Sequence, residues 1–274
     1  MDYYKKKYIL LSFDIEEFDI PNEYGCTMSL LEQIALSEQG TNVILDILSN
    51  VNIKATFFCT TNFAINSPLT INRIINEGHE IASHGCNHAK YCDGDEYTSK
   101  EILEKTFRIN VYGYRQPRMQ IANLNNVNYV YNASVNPTYI PGRYSNHKKS
   151  RTIYKDDKLI SIPTSVTPLF RIPLFWLSLH HFPLSIYEFL VKKTLLQDGY
   201  FNTYFHPWEF VDLSLPEFKK IPYIIKHGSG QTMIHRLKHL IDTLIECDVE
   251  FITYNQMANN YKNTYENNSN TSML

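Results

Sequence analysis

The stretch LLSFDIEEFD sets four carboxylates, Asp14, Glu16, Glu17 and Asp19, directly behind the apolar run 9–13. A carboxylate buried without a partner pays a heavy desolvation cost or stays protonated, so this cluster implies a cation or a proton-transfer task. Three later stretches hold groups of matching chemistry. SHGCNH sets His84 and His88 four residues apart, GYRQP carries Arg115, and HPWEF opens on His206. Two imidazoles one helical turn or one tight loop apart can reach a single metal ion. With one carboxylate they leave coordination positions open, as catalytic zinc sites do. If strand geometry persists through Asp14, then Asp14 and Glu16 project to one side and Ile15 and Glu17 to the other. Cys86 lies between the histidines and is expected to turn away.

Each of these groups follows a short apolar run, so strands must position them. Such runs occupy 8–14, 55–59, 80–83, 111–114, 129–134, 159–162, 200–205 and 250–253. They alternate with amphipathic stretches, the pattern of a parallel α/β domain. TNVILDILSNV, LTINRIINEG and MIHRLKHLIDTLIEC carry helical spacing. TSKEILEKTFRIN opens on a capping-box pattern, Thr98 followed by Glu101. Seven or eight such units in 274 residues suggest an α/β fold with a distorted (β/α) barrel, with a doubly wound open sheet as the alternative. In a barrel the strand C-termini share one rim, where Asp14, His84, Arg115 and His206 would meet. A single catalytic domain over 1–262 is expected, followed by a polar, disordered tail over 263–274.

Composition narrows the classes of function. The net charge of −2 gives no reason to invoke nucleic acid. Five cysteines without regular spacing do not form a disulfide framework, and the N-terminus lacks a secretory h-region. Both favour the cytoplasm. The longest apolar stretch, PLFRIPLFWLSLHHFPLSIYEFLV, contains Arg171, His180, His181 and three prolines, so no transmembrane segment is expected. It could still lie against lipid. The 20 Tyr and 15 Phe serve first as core and second as platforms for sugar rings.

The stretches SFDIE, KATFF, EGHEIASHGCNH, GYRQP, YNASVNPTYIPGRY and YFHPWEF occur in this order from residue 12 to about residue 210. Together with FITYNQMA near the end, they resemble the polysaccharide deacetylase family, the NodB-homology carbohydrate esterases. The resemblance implies a metal-dependent N-deacetylase. Asp14 would be the catalytic base, and Arg115 would orient and stabilise its carboxylate. His206 would be the general acid, and Glu16, His84 and His88 would hold a divalent metal. Zinc is the first expectation, with cobalt or nickel also compatible with the ligand set. Trp208, Tyr114 and Pro117 would line the substrate side, with Trp208 stacking on a sugar face.

Two departures from the family's pattern stand out. The family commonly has adjacent aspartates at the first site, whereas here a glutamate follows the base at two residues. Asn132 stands where relatives often carry an aspartate that supports the arginine. The implied substrate is an N-acetylated amino sugar of a glycan or glycan precursor, free or lipid-linked. Hydrolysis of a small cyclic amide or imide is one alternative, and a catalytically silent glycan-binding module is another. Glu17 and Asp19 are expected at the surface or behind the ligands. The rival pair His235 and His239 is expected on a solvated helix face, and His180 and His181 in the core or a substrate loop.

Overall fold

The computed structural model describes residues 6–120, 124 and 127–271. Its strands are β1 (Lys7–Ile15), β2 (Thr56–Cys59), β3 (Glu80–Ser83), β4 (Gly113–Tyr114), β5 (Tyr131–Asn132), β6 (Tyr139–Ile140), β7 (Tyr144–Ser145), β8 (Tyr154–Asp156), β9 (Leu159–Ser161), β10 (Tyr200–Phe205) and β11 (Val249–Phe251). The main sheet has the order β10-β1-β2-β3-β4-β5-β9-β8, parallel up to β9, with β8 antiparallel at the edge. Along one side of β1, β11 pairs with the first half and β2 with the second. β6 and β7 form a separate hairpin.

β1 is buried over most of its length because both of its faces are covered. Ile9, Leu11, Phe13 and Ile15 enter the outer core shared with the helices, while Leu10 joins Phe58, Ala82 and Tyr131 in a second cluster inside the sheet. The period of two carries Ser12 and Asp14 to the inner side with Leu10. The sheet curls, and the segment after β9 reaches across to β10. Ser165 N donates to the Asn202 carbonyl (3.2 Å), and Asn202 N donates to Ser165 Oγ (3.0 Å). This curled, incompletely laddered ring is the distorted barrel expected from the alternation of strand and helix patterns.

The helices differ from expectation mainly at their ends. The helix expected around 41–51 spans Leu30–Asn50 and starts at a true capping box, Ser29 with Glu32. The one expected at Thr98 begins a turn earlier, as Asp95–Phe107. Gly94 takes a left-handed conformation there (φ 88°), and the Asp95 carboxylate accepts from Cys92 N, so Thr98 and Glu101 fall inside the helix. Gln231–Ile245 buries Leu237, Leu240, Ile241 and Leu244 of the apolar face its spacing predicts, together with Met233, whereas Ile234 is half-buried and Ile245, also expected on that face, is exposed. The last helix, Tyr254–Thr271, extends into the tail after 262; residues 272–274 lie outside the described residues. Among the described residues no helix is long and apolar enough to cross a membrane.

One buried group away from the strand C-termini makes stability pH-dependent. His79, before β3, accepts a hydrogen bond at Nδ1 from Ala55 N (3.2 Å). Burial, with Lys54 nearby, lowers its pKa to about 4. The unfolded chain therefore takes up this proton first, and the stability that neutral His79 contributes is complete only above the ordinary histidine pKa. Denaturant midpoints measured from pH 7 down to 4 should fall, with a slope of up to about 1.4 kcal/mol per pH unit from this one proton. In His79→Gln that component of the slope should be missing.

Candidate active site

Four strand ends deliver the groups singled out by sequence. Asp14 lies at the end of β1 with Glu16 just beyond, His84 follows β3, Arg115 follows β4 and His206 follows β10. Asp14, Glu16, His84, His88 and His206 line one cavity of about 250 Å³, together with Trp176, Arg118, Arg143 and Tyr144.

Arg115 and Asp14 form a buried ion pair, Nη1 to Oδ1, at 2.5 Å. The guanidinium also donates from Nη2 to Ser12 Oγ and Tyr254 Oη, both at 3.0 Å, and from Nε to the Ala133 carbonyl at 3.3 Å. Its carbon lies 3.9 Å from the centre of the Phe58 ring. Asn132 plays no part in this, because its Oδ1 accepts from Ser134 N. The guanidinium is supported instead by two hydroxyls and a carbonyl. Burial pushes the Asp14 pKa up, but Arg115, with His84 and His206, outweighs it and holds the carboxyl below its ordinary range.

Glu16 Oε2 contacts Nε2 of both histidines, His84 at 3.1 Å and His88 at 3.4 Å. The other ring nitrogens are engaged behind them. His84 Nδ1 meets the Arg115 carbonyl at 2.8 Å, and His88 Nδ1 meets Asp19 Oδ1 at 2.7 Å. A carbonyl only accepts, so His84 Nδ1 carries its proton and its Nε2 presents a lone pair when the ring is neutral. The Asp19 carboxylate imposes the same tautomer on His88. Three lone-pair atoms thus face one another, an arrangement that calls for a positive charge. Burial lowers the His88 pKa, yet Glu16 and Asp19 more than reverse that, raising it to about 9. Among the described residues no three His, Cys, Asp or Glu side chains already stand in coordination geometry. The donor chemistry nevertheless fits a divalent cation on Glu16, His84 and His88.

The remaining acids are neither exposed nor interchangeable with Glu16. Asp19 is buried and orients His88, while Glu17 is buried away from the cavity, accepting from Thr60 Oγ1 (2.7 Å) and Asn62 Nδ2 (2.5 Å). Cys86 turns toward the Asp95 carbonyl.

His206 is held by a residue that sequence reasoning left without a role. Glu209 Oε1 accepts from His206 N (2.6 Å) and faces Nδ1 (2.9 Å), which leaves Nε2 as the ring's free nitrogen. Burial lowers the His206 pKa, but the Glu209 hydrogen bond, helped by the charges of Glu16 and Asp14, raises it overall. The three-residue spacing in HPWEF was the available signal for Glu209, since one short turn brings the two side chains together.

The expected substrate-side residues fare differently. Trp208 lines the cavity but is 1% exposed, with the His206 ring (5.1 Å, 20°) and the Phe18 ring (5.7 Å, 26°) stacked on it and Trp176 edge-on (5.3 Å, 80°). An indole covered this closely offers little surface for stacking, and its contact is with His206. Trp176, partly exposed and edge-on to His206 (5.5 Å, 87°), lines the cavity, although it sits inside an apolar stretch with no marker of a site. Tyr114 is fully buried, donates to Gln116 Oε1 (2.6 Å) and lies outside the cavity wall. Pro117 lines a separate shallow depression with His88 and Arg118. The pair His235 and His239 stays on an exposed helix face as expected, although Glu188 lies 2.9 Å from His239 Nε2.

With that geometry in place, comparison with known proteins is informative. Residues 2–129 match the family model described as polysaccharide deacetylase. A peptidoglycan-N-acetylglucosamine deacetylase of Bacillus cereus is 37% identical over 76 residues, covering 27% of this chain and 28% of that protein. A chitooligosaccharide deacetylase of a Bradyrhizobium species is 40% identical over 45 residues, covering 16% of this chain and 20% of that protein. The matched segments thus span less than a third of either relative's length. A crystal structure from Mycobacterium smegmatis, assigned as a polysaccharide deacetylase, superposes with a TM-score of 0.64 at 17% identity, covering 97% of this chain and 94% of that one. Puue allantoinase shares the fold at a TM-score of 0.62 and 14% identity, over 96% and 92% of the two chains. Residues 2–129, just under half of the chain, carry the polysaccharide deacetylase match, and the chain as a whole has the fold of these solved structures.

Gly40 ties the acid-bearing turn to the helix beside it. A Cβ on Gly40 would stand 1.9 Å from the Pro207 carbonyl oxygen, so the helix backbone rests directly on the turn after His206. Gly40→Ala must move one of the two. Unfolding titrations should show a loss of about 1–3 kcal/mol, as overpacking usually costs. Gln39→Ala, at an exposed position one residue away, should stay within about 0.5 kcal/mol of the parent.

Proposed function

We propose that this chain is a metal-dependent N-deacetylase acting on N-acetylated amino sugars of a glycan or glycan precursor. The observation that carries the reading is that one cavity is lined by two groups of complementary proton chemistry. Arg115 holds the Asp14 pKa below its ordinary range, and Glu209 holds the His206 pKa above its own. Beside them stands a donor set of one carboxylate and two imidazoles.

A divalent cation on Glu16, His84 and His88 would supply Lewis acidity toward the acyl oxygen and the attacking water. Asp14 takes a proton from that water as its oxygen bonds to the acetamide carbon. Its depressed pKa keeps it in the accepting form, and Arg115 prevents the carboxylate from swinging away. His206 then gives the proton on Nε2 to the amide nitrogen as the C–N bond breaks, so acetate and a free amine leave. Without that proton the leaving group would be an amide anion. Glu209 fixes the ring so that Nε2, and not Nδ1, is the donating atom. Trp208 and Trp176 wall the acid from water. The relatives act, by name, on peptidoglycan N-acetylglucosamine and chitooligosaccharides, which supports an amino-sugar substrate over a cyclic amide.

The test is acetate release from N-acetylated chitooligosaccharides by protein stripped of metal and reloaded with zinc, cobalt or nickel. Activity should depend on the added ion. Asp14→Asn should lower turnover by about 10²–10⁴-fold, the usual worth of a general base, while bound metal per chain stays unchanged. Equal turnover by Asp14→Asn and the parent would refute the assignment of the base.

A further inference from the structure

Beneath His206 the hydrogen bonds continue one residue further than the reaction requires. Glu209 Oε2, on a fully buried side chain, lies 2.9 Å from His180 Nε2, and His180 Nδ1 lies 2.8 Å from the His227 carbonyl. His180 belongs to the short helix Trp176–His181, beyond the segment matched by the family model. The end of that helix is held by Arg236, which donates to the Leu179 and Phe182 carbonyls.

Counting protons along this chain leaves one extra. The His227 carbonyl can only accept, so His180 Nδ1 must donate to it. A neutral ring with that proton on Nδ1 has only a lone pair at Nε2, facing a carboxylate oxygen that also offers only lone pairs. The contact between Nε2 and Oε2 therefore holds a proton of its own, and His180 with Glu209 forms a unit of zero net charge. Of the Glu209 oxygens, only Oε1 is left to draw on His206.

We propose that His180 is a positioning residue for His206, acting through Glu209. By sharing a proton with Oε2 it pins the carboxylate so that Oε1 stays on His206, and it weakens the carboxylate's hold on the His206 proton. The inference rests on the reading of His206 as the acid. An unshared buried carboxylate would bind the imidazolium more tightly and make it a reluctant donor, whereas a general acid works best with its pKa near the operating pH. The other charged groups near His206 are Asp14 and Glu16, and its remaining neighbours are the rings of Tyr204, Trp176 and Trp208. Around His180 stand Glu209, the rings of His181 and Trp176, and the His227 carbonyl. No second carboxylate is hydrogen-bonded to His180 among the described residues.

The test uses the full chain loaded with zinc and N-acetylated chitooligosaccharides as probe. His180→Phe removes the shared proton. It should lower kcat about 10-fold or more, as loss of a supporting hydrogen bond behind an active-site ligand typically does. KM should hold, and the alkaline limb of kcat/KM should move to higher pH. His180→Gln restores a donor to Oε2 and should recover most of kcat. In the parent, 15N-histidine spectra should show a proton on His180 Nε2, lost in His180→Gln with a shift of the His206 signals. An Nε2 without a proton would overturn the proposal, as would an unaltered pH profile in a folded His180→Phe. If His180→Phe does not fold, the spectra and His180→Gln decide. Failure of the deacetylase reading looks different: no acetate from the parent protein, with the His180 proton still in place.

Discussion

Arg115 is the charge around which this molecule is arranged. Its guanidinium is shut away from water, and a cation so placed is tolerable only if every donor finds an acceptor and a counter-charge stands alongside. Asp14 supplies the charge, Ser12, Tyr254 and the Ala133 carbonyl supply the acceptors, and Phe58 supplies a ring face. These partners come from β1, β2, the segment after β5 and the final helix. Satisfying one side chain therefore draws four parts of the barrel together. Removing either charge would strand the other in a low-dielectric interior, at a cost of about 3–5 kcal/mol.

The same economy governs the two histidine groups. In each, the nitrogen away from the cavity is committed to an acceptor, so the nitrogen toward it has one role. The Arg115 carbonyl does this for His84, Asp19 for His88 and Glu209 for His206. The Arg115 backbone thus orients a candidate metal ligand while its side chain restrains Asp14. The two halves of the site are mechanically one piece, joined through a single residue.

Much of this was legible in the sequence, for definite reasons. A titratable residue at the end of an apolar run stands out, and strand geometry says which side it faces, so Asp14, Glu16, His84, Arg115 and His206 could be placed on one rim. Spacing within a turn was also readable, as for His84 with His88. What escaped depends on packing between distant segments. Tyr254 is 139 residues from its partner Arg115, and His180 is 29 from Glu209 inside a stretch that reads as plain core. Trp208 stands at the cavity as its position suggests, but Phe18, His206 and Trp176 cover the indole, and only the folded chain shows that. The start of the helix at Asp95 was missed because Gly94's left-handed turn competes with the Thr98 capping pattern.

Tyr254 has a consequence for how the molecule comes into being. The hydroxyl that completes the Arg115 cage sits where the last helix starts, and β11, just before it, fills the remaining side of β1. A ribosome delivers β1 first and these elements last, so the nascent chain exposes the inner face of its first strand throughout most of translation. The Arg115–Asp14 pair cannot be locked in place until synthesis has passed residue 254. The Arg115 cage is therefore completed late and all at once, and a half-made chain lacks it.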